Sequence, residues 1–420
     1  MKVLLLNQCF YPDVVSTAQH LTDLALKLAG EGHDVTVVAS SRGYDDTAAR
    51  FSGKEVWKGI KIIRLPVTGL GKQAKWRRAV DFGSFFLSAI SRLIFLRKFD
   101  LVLAMTSPPL ISFLGALFVR LKGGRFVFWV MDLNPDEAIA AGWLKEGTMT
   151  AKALKALLAY SLRRAEKIFV LDRFMKKRIR EKGVEEQKIA VIPPWSHDHA
   201  IRFDPEGRKL FRAEHGLSDK FVVMYSGNHS PCHPLDTLLE AAQRLVSDDK
   251  TIFCFIGGGS EYQKVKAFAC EHSLKNILCL PYQPLSKLSA SLSAADLQVV
   301  VMGEPFAGIV HPCKIYNILA IGTPFLYIGP AESHVSDIVL RLDQGVLAGS
   351  ASHGDVDAVV RIILERTSLS TGSSSHASSK AAAEFSIEAL LPQMIEALQS
   401  SETPASLYGT GRIETDVRSA

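Results

Sequence analysis

The stretch Phe221-Val222-Val223-Met224-Tyr225-Ser226-Gly227-Asn228-His229-Ser230-Pro231-Cys232-His233-Pro234-Leu235-Asp236-Thr237-Leu238-Leu239-Glu240-Ala241-Ala242 decides the fold. An apolar run breaks on small residues and resumes at helical spacing, which predicts a strand, a turn and a helix. A helix N-terminus behind such a loop presents unpaired N–H groups and the positive end of its dipole to an anion. Thr251–Gly257 repeats the pattern into Gly258-Gly259-Ser260, where missing side chains let a ligand approach the backbone. Two such loops in succession predict a doubly wound αβ unit with a nucleotide crevice at the carboxyl ends of its strands.

Outward from there, apolar runs alternate with helical patterns along most of the chain, the mark of parallel sheets covered on both faces. Strands are expected near Lys2–Leu6, Asp34–Ser40, Ile60–Leu65, Leu101–Met105, Phe126–Met131, Lys167–Leu171 and Ile189–Ile192. A second series follows at Phe221–Ser226, Thr251–Gly257, Ile277–Leu280, Leu297–Met302 and Pro324–Ile328. The helix Thr17–Glu31 is expected to be capped by Ser16 or Thr17. These elements divide into an N-terminal domain over 1–195, a second domain over 196–383, a last helix within 384–400 and a disordered tail over 401–420, with a Ser-rich flexible loop at 368–379.

The 420 residues are 47% hydrophobic and 22% charged, which excludes a disordered, collagen-like or disulfide-stapled chain. The net charge of +6 conceals an asymmetry: residues 1–200 hold 31 basic and 19 acidic side chains, residues 201–420 hold 18 and 24. Much of the excess lies at 72–98, where Lys72, Lys75, Arg77, Arg78, Arg92, Arg97 and Lys98 face Asp81 alone. This cluster flanks the apolar helix around Phe85–Leu96, which is either core or a face lying on anionic lipid. Leu101–Val119 carries no charge over 19 residues, but Pro108-Pro109 in its middle predicts a strand, a turn and a helix rather than a membrane span. Six scattered cysteines and a polar residue soon after Leu6 predict a reduced, cytoplasmic protein without a signal peptide.

Chemistry is expected at two further places. In Gly308-Ile309-Val310-His311-Pro312-Cys313-Lys314-Ile315-Tyr316-Asn317 a short helix opens at Pro312, closes at Gly322 and carries Lys314 in its first turn. A cation there opposes the dipole, so Lys314 is a candidate for contact with phosphate. Phe126–Met131 ends at Asp132, which points into a crevice and is a candidate catalytic or acceptor-binding group, whereas Asp136 and Glu137 read as ordinary first-turn acids. Asp355-Val356-Asp357 reads as a helix cap, and the His197-Asp198-His199 spacing does not suit zinc, so no metal is expected.

Assembled, these features resemble family 4 glycosyltransferases over roughly residues 1–398, most of all the subgroup that builds colanic acid, O-antigen and other exopolysaccharides. The resemblance rests on Asn7–Asp13, Gly32-His33-Asp34-Val35-Thr36-Val37, Trp129–Asp136, Val191-Ile192-Pro193-Pro194-Trp195, Tyr225-Ser226-Gly227-Asn228, Phe255-Ile256-Gly257-Gly258-Gly259 and Pro312-Cys313-Lys314-Ile315-Tyr316. It implies a GT-B fold, two Rossmann-like domains facing each other with a C-terminal crossover helix. It also implies a retaining, metal-independent transfer from a nucleotide-sugar, UDP-linked, with no cofactor. Gly227, Asn228, His229, His233, Gly257, Gly258, Tyr282, Gln283, Lys314 and Asn317 would line the donor. Tyr11, Lys75, Arg77 and Arg78 would face a lipid-linked glycan acceptor or an anionic membrane at the inner face of the cell, and nucleic acid drops out as a partner. Where many members have Arg, Lys and Glu, this chain has Asn228, His233 and Asn317. Those departures keep open a second reading, a non-catalytic homologue acting as a partner subunit.

Overall fold

The computed structural model describes residues 1–44, 49–71, 75–196, 201–342, 345–369 and 380–400. Lys72, the side chain of Lys75, His197-Asp198-His199, the expected loop from residue 370 to 379 and the expected tail lie outside the described residues.

Two sheets form. The first contains β1 (Lys2–Leu6), β2 (Asp34–Ser40), β3 (Lys54–Trp57), β4 (Ile60–Leu65), β5 (Leu101–Ala104), β6 (Arg125–Trp129), β7 (Lys167–Val170) and β8 (Ile189–Val191), in the order β3-β4-β2-β1-β5-β6-β7-β8. All pairs are parallel except β3–β4, a hairpin turned by Lys58 and Gly59 at φ of 48° and 81°. The second contains β9 (Phe221–Asn228), β10 (Thr251–Gly258), β11 (Ile277–Leu280), β12 (Leu297–Val301), β13 (Phe325–Ile328) and β14 (Leu347–Ala351), in the order β11-β10-β9-β12-β13-β14. That order reverses between β9 and β12, as the order of the first sheet does between β1 and β5, and a crevice opens where a parallel sheet reverses.

The physical reason for the strands is visible in their burial. Val3 to Leu6, Leu101 to Ala104, Phe126 to Trp129 and Leu297 to Val301 are continuously buried, so these strands take helices on both faces. The uncharged stretch at 101–119 divides between β5 and the helix Ile111–Lys122, and among the described residues no helix is long and apolar enough to cross a membrane.

The first helix, Ser16–Gly30, differs from expectation at its start. Its N-cap is Val15 with no side-chain bond, because Ser16 already lies inside the helix and turns its hydroxyl to His20 Nδ1 at 3.3 Å. The last helix, Ile387–Gln399, is capped by Ser386 and crosses back onto Ser16–Gly30, burying Leu390, Met394 and Leu398 in the same core as Leu24 and Leu28. Lys167 holds its end, donating to the carbonyl of Ala397 at 2.7 Å. That core runs on into Val300, Ile315 and Tyr316 of the second unit, so the two units share apolar packing.

Candidate functional site

The loop expected after Ser226 is shorter than its sequence suggests. β9 continues through Gly227 and Asn228, which stand opposite Gly257 and Gly258 of β10. Gly257 makes this possible: at φ of 137°, any Cβ there would lie 2.0 Å from the Gly227 oxygen. The helix behind it begins only at Asp236. Tyr282 packs its ring on Gly258, and Gln283 bonds the Pro281 carbonyl at 3.0 Å. Asn228 is exposed at the strand end, and Asn317 is half-buried on the helix Lys314–Ile321.

His229 and His233 are buried. The His229 amide donates to Gly258 at 2.7 Å, and its Nδ1 lies 3.0 Å from the Gly227 carbonyl, which can only accept. Burial first, then Lys314, push this imidazole down to about 4, so at neutral pH Nδ1 carries its single proton and Nε2 is a buried lone pair without a partner. His233 bonds the Val301 carbonyl at 2.8 Å and is pushed down to about 3, again by burial and then Lys314. Neither ring is a cation at neutral pH.

Lys314 is the cation of this crevice. It opens its helix behind Cys313, and the left-handed Gly322 closes it. Nζ stands 3.3 Å from the centroid of Tyr225, buried and with no hydrogen-bond partner. Burial pushes this ammonium well below the ordinary lysine range. The Tyr225 hydroxyl in turn donates to the Asn228 carbonyl at 3.0 Å, so one aromatic ring ties the lysine to the β9 end. The space beside Gly227 adjoins Lys314 Cε and Nζ, where an added Cβ would sit 3.6 and 3.7 Å away.

Facing it, the chain leaving β6 at Trp129 reaches Asp132, beyond the strand end expected at Met131. Burial, then the charge of Glu137, push the Asp132 carboxyl up to about 8, against the pull of Arg78. Glu137 is raised too, by burial, though Asn134 donates to it at 2.8 Å and Arg78 opposes the rise. The reading of both helix acids as ordinary first-turn groups therefore suits Asp136, paired with Lys182 at 2.6 Å, and fails for Glu137, which turns inward toward Cys232 of the second unit. The charge of Asp132 also contributes to raising the Cys232 and Cys313 thiols, after burial, to about 12 each. Asp132 and the Lys314 helix are thus brought to one cleft.

A contact set that the sequence did not reveal fixes this arrangement. Residues 307–313, the segment leading to Lys314, are gripped by the first unit. Arg178 donates to the Ala307 carbonyl at 2.6 Å, and the Leu133 amide to Ile309 at 2.9 Å. His311 Nδ1 lies 2.7 Å from Asp172, and its Nε2 is 2.6 Å from the Tyr316 hydroxyl. Burial would raise the Asp172 carboxyl, but the His311 hydrogen bond and the charges of His311 and His334 hold it below the usual range. Arg173 adds a two-pronged pair to Asp337 at 2.6 and 2.9 Å. Among the described residues, Asp172, His311 and His334 are a group whose ligand atoms lie within 4.8 Å of one another. The two imidazoles stack at 3.7 Å and 27°.

On the acceptor side, Tyr11 is 41% exposed and stacks on Trp57 at 4.0 Å. Arg77 lies over Trp76, and Arg78 points into the first unit, donating to the Tyr44 hydroxyl at 3.1 Å and packing on Phe82. Tyr44 thus turns Arg78 toward the first unit. The apolar helix Lys75–Phe95 divides its surface: Phe85, Ala89 and Leu93 are core, while Leu87, Ile94 and Phe95 are 70%, 61% and 78% exposed.

Comparison with known proteins agrees with this division. A family model described as the glycosyl transferase 4-like domain matches residues 17–195, and one described as glycosyl transferases group 1 matches residues 207–383. WcaI of Escherichia coli K12, named as a colanic acid biosynthesis glycosyl transferase, is 26% identical over 339 residues, covering 77% of this chain and 82% of its own. WbjE of Pseudomonas aeruginosa, named as a glycosyltransferase, is 26% identical over 280 residues, covering 67% and 69%. Among solved structures, HepE of Anabaena in complex with UDP and glucose superposes with a TM-score of 0.70 at 15% identity, covering 95% of this chain and 99% of that one.

Proposed function

Because the chain belongs to the group 1 glycosyl transferases, with their 4-like domain ahead of the group 1 domain and a GT-B fold, we propose that it moves a sugar from UDP to a lipid-linked or growing surface glycan, with retention and without a metal. The observation that carries this reading is Lys314, a buried ammonium without a hydrogen-bond partner beside the bare backbone of Gly227, at the point where the second sheet reverses. Departure of a nucleoside diphosphate leaves charge on its phosphates, and a fixed cation in a water-poor crevice stabilises that charge where it develops. Gly257 and Gly258, with Tyr282 against them, leave room for the base. Asp132, at the facing strand end, would meet the acceptor hydroxyl.

The relatives support the donor and the setting: HepE was solved with UDP and glucose, and WcaI is named for colanic acid biosynthesis. The exposed Leu87, Ile94 and Phe95 next to Arg97 and Lys98 suit a peripheral position on an anionic cytoplasmic membrane surface. Thermal unfolding with UDP-, GDP- and TDP-sugars tests the donor. A ligand at about 100 times its Kd adds about 2.7 kcal/mol to stability. UDP-sugars are expected to raise the midpoint, and a panel with no shift refutes the reading.

A further inference from the structure

At the carboxyl ends of β1, β2 and β4, a pocket in the first unit is lined by Gln8, Ser40, Arg42, Tyr44, Arg78 and Asp81, among others. Its two guanidinium groups are held in place. Arg42 Nε donates to the Val67 carbonyl at 3.2 Å, and its stem lies so close to Gly69 that a Cβ there would be 2.5 Å from Cδ. Arg78 is fixed through Tyr44 and Phe82. Asp81 is committed elsewhere: it accepts from the amides of Leu70 at 2.8 Å and Gly71 at 3.0 Å, holding the loop that rims the pocket.

Two polar atoms on residues lining this pocket are left over. Arg78 Nε is buried with no partner, and so is Oε1 of Gln8, a side chain on a residue only 8% exposed. One is a donor awaiting an acceptor and the other an acceptor awaiting a donor. Buried orphans of this kind are costly to the fold, and a ligand that satisfies them recovers that cost. Asp132, whose carboxyl is pushed up to about 8, favours its uncharged form at neutral pH and so does not neutralise Arg78, and burial raises Glu137 in the same direction.

We propose that this pocket seats an oxyanion carried by the acceptor, a phosphate or a carboxylate, between Arg42 and Arg78, with an adjacent hydroxyl donating to Gln8 Oε1. A neutral sugar would leave the Arg78 charge uncompensated, and a bare anion would leave Gln8 unpaired, so the ligand class is a hydroxylated acceptor bearing negative charge. The inference rests on the first unit being the acceptor half, and it names what that half selects.

The test is isothermal titration of the full chain, saturated with UDP to fill the Lys314 crevice, with inorganic phosphate, D-glucuronate and D-glucose in turn. Phosphate or glucuronate is expected to bind and glucose to fail, the stronger anion telling a phosphoryl from a uronic acceptor. Arg78→Gln is expected to weaken that binding ten-fold or more while leaving UDP affinity unchanged. Gln8→Ala is expected to weaken glucuronate more than phosphate, and Lys314→Met to change neither. Glucose binding as well as the anions, no anion binding at all, or anion binding unchanged in both Arg78→Gln and Gln8→Ala would each overturn the proposal. Failure of UDP itself to bind would instead overturn the glycosyl-transfer reading.

Discussion

Replacing Lys314 by Met separates what this lysine costs the fold from what it contributes to the ligand. The unbranched thioether keeps apolar contact with Tyr225 and removes only the charge. In the folded chain the ammonium has a ring 3.3 Å from Nζ and no hydrogen bond. A desolvated cation–π contact recovers about 2 kcal/mol, whereas taking an ammonium out of water costs several, so folding weakens this amine's hold on its proton. The sign of the pH dependence follows. Unfolded Lys titrates at about 10.4, so between the depressed folded value and that pH the unfolded chain binds the extra proton. Stability from this group therefore rises with pH, by up to about 1.4 kcal/mol per unit. Taking wild type minus Lys314→Met cancels the raised cysteine thiols, which slope the other way. Urea unfolding followed by tryptophan fluorescence at several values between pH 7.5 and 9.5 should find the variant more stable at the lower end, with the gap closing as pH rises. UDP titration should find the variant roughly ten- to hundred-fold weaker. A pH-independent difference, or a variant less stable than wild type at pH 7.5, would refute the reasoning.

Asp132→Asn should lower turnover by about two orders of magnitude and flatten a pH–rate profile that in wild type rises toward a plateau above about 8, where the carboxyl ionises. The raised folded value means that wild type loses stability as pH climbs from about 4 to about 8, so the Asn variant should be the more stable protein at pH 9 by denaturant titration. Gly308→Ala places a Cβ 2.6 Å from the Phe174 carbonyl carbon at φ of 69°, which pushes the two units apart. A larger radius of gyration by X-ray scattering, with turnover lost and UDP affinity reduced, is the expected result, and an unchanged radius would show that the contact is not a stop. Combining Leu87→Ser, Ile94→Ser and Phe95→Ser should cut co-sedimentation with phosphatidylglycerol vesicles at least ten-fold, since each side chain carries up to about 2 kcal/mol of burial; undiminished binding would remove the membrane role of this helix.

The central strands were legible as apolar runs: β5 throughout, β1 after Lys2, β6 after Arg125, and β12 but for Gln298. The two strands the sequence did not disclose are at sheet edges. β3 is a polar four-residue strand defined by its hairpin with β4, and β14 reads Leu-Ala-Gly-Ser-Ala, a run whose Gly349 is needed to clear Ile362. Lys314 and Asp132 could be singled out because each stands at an element boundary facing a crevice. Asp172 and His311 could not, because they are 139 residues apart and meet only when the two units dock. Glu137 was hidden for the same reason: its environment is made by Asp132 and by Cys232, which belongs to the other sheet. The course of β9 past Ser226 was concealed as well, since it depends on what Gly257 lacks.

The chain crosses between its units twice, once after Trp195 and once before Ile387, and the crossings lie side by side: the Ser196 amide donates to the Phe385 carbonyl at 2.7 Å, with Ser196 and Ser386 bridged in parallel. A single tether would let the units swivel and slide. A two-ply ribbon bends about one line and resists torsion, which reduces opening and closing to a single angular coordinate. With the segment 307–313 gripped by the first unit, the position of Lys314 would follow the same coordinate, and cutting either ply would free the units to rotate past the register that brings Asp132 and the Lys314 helix to one cleft.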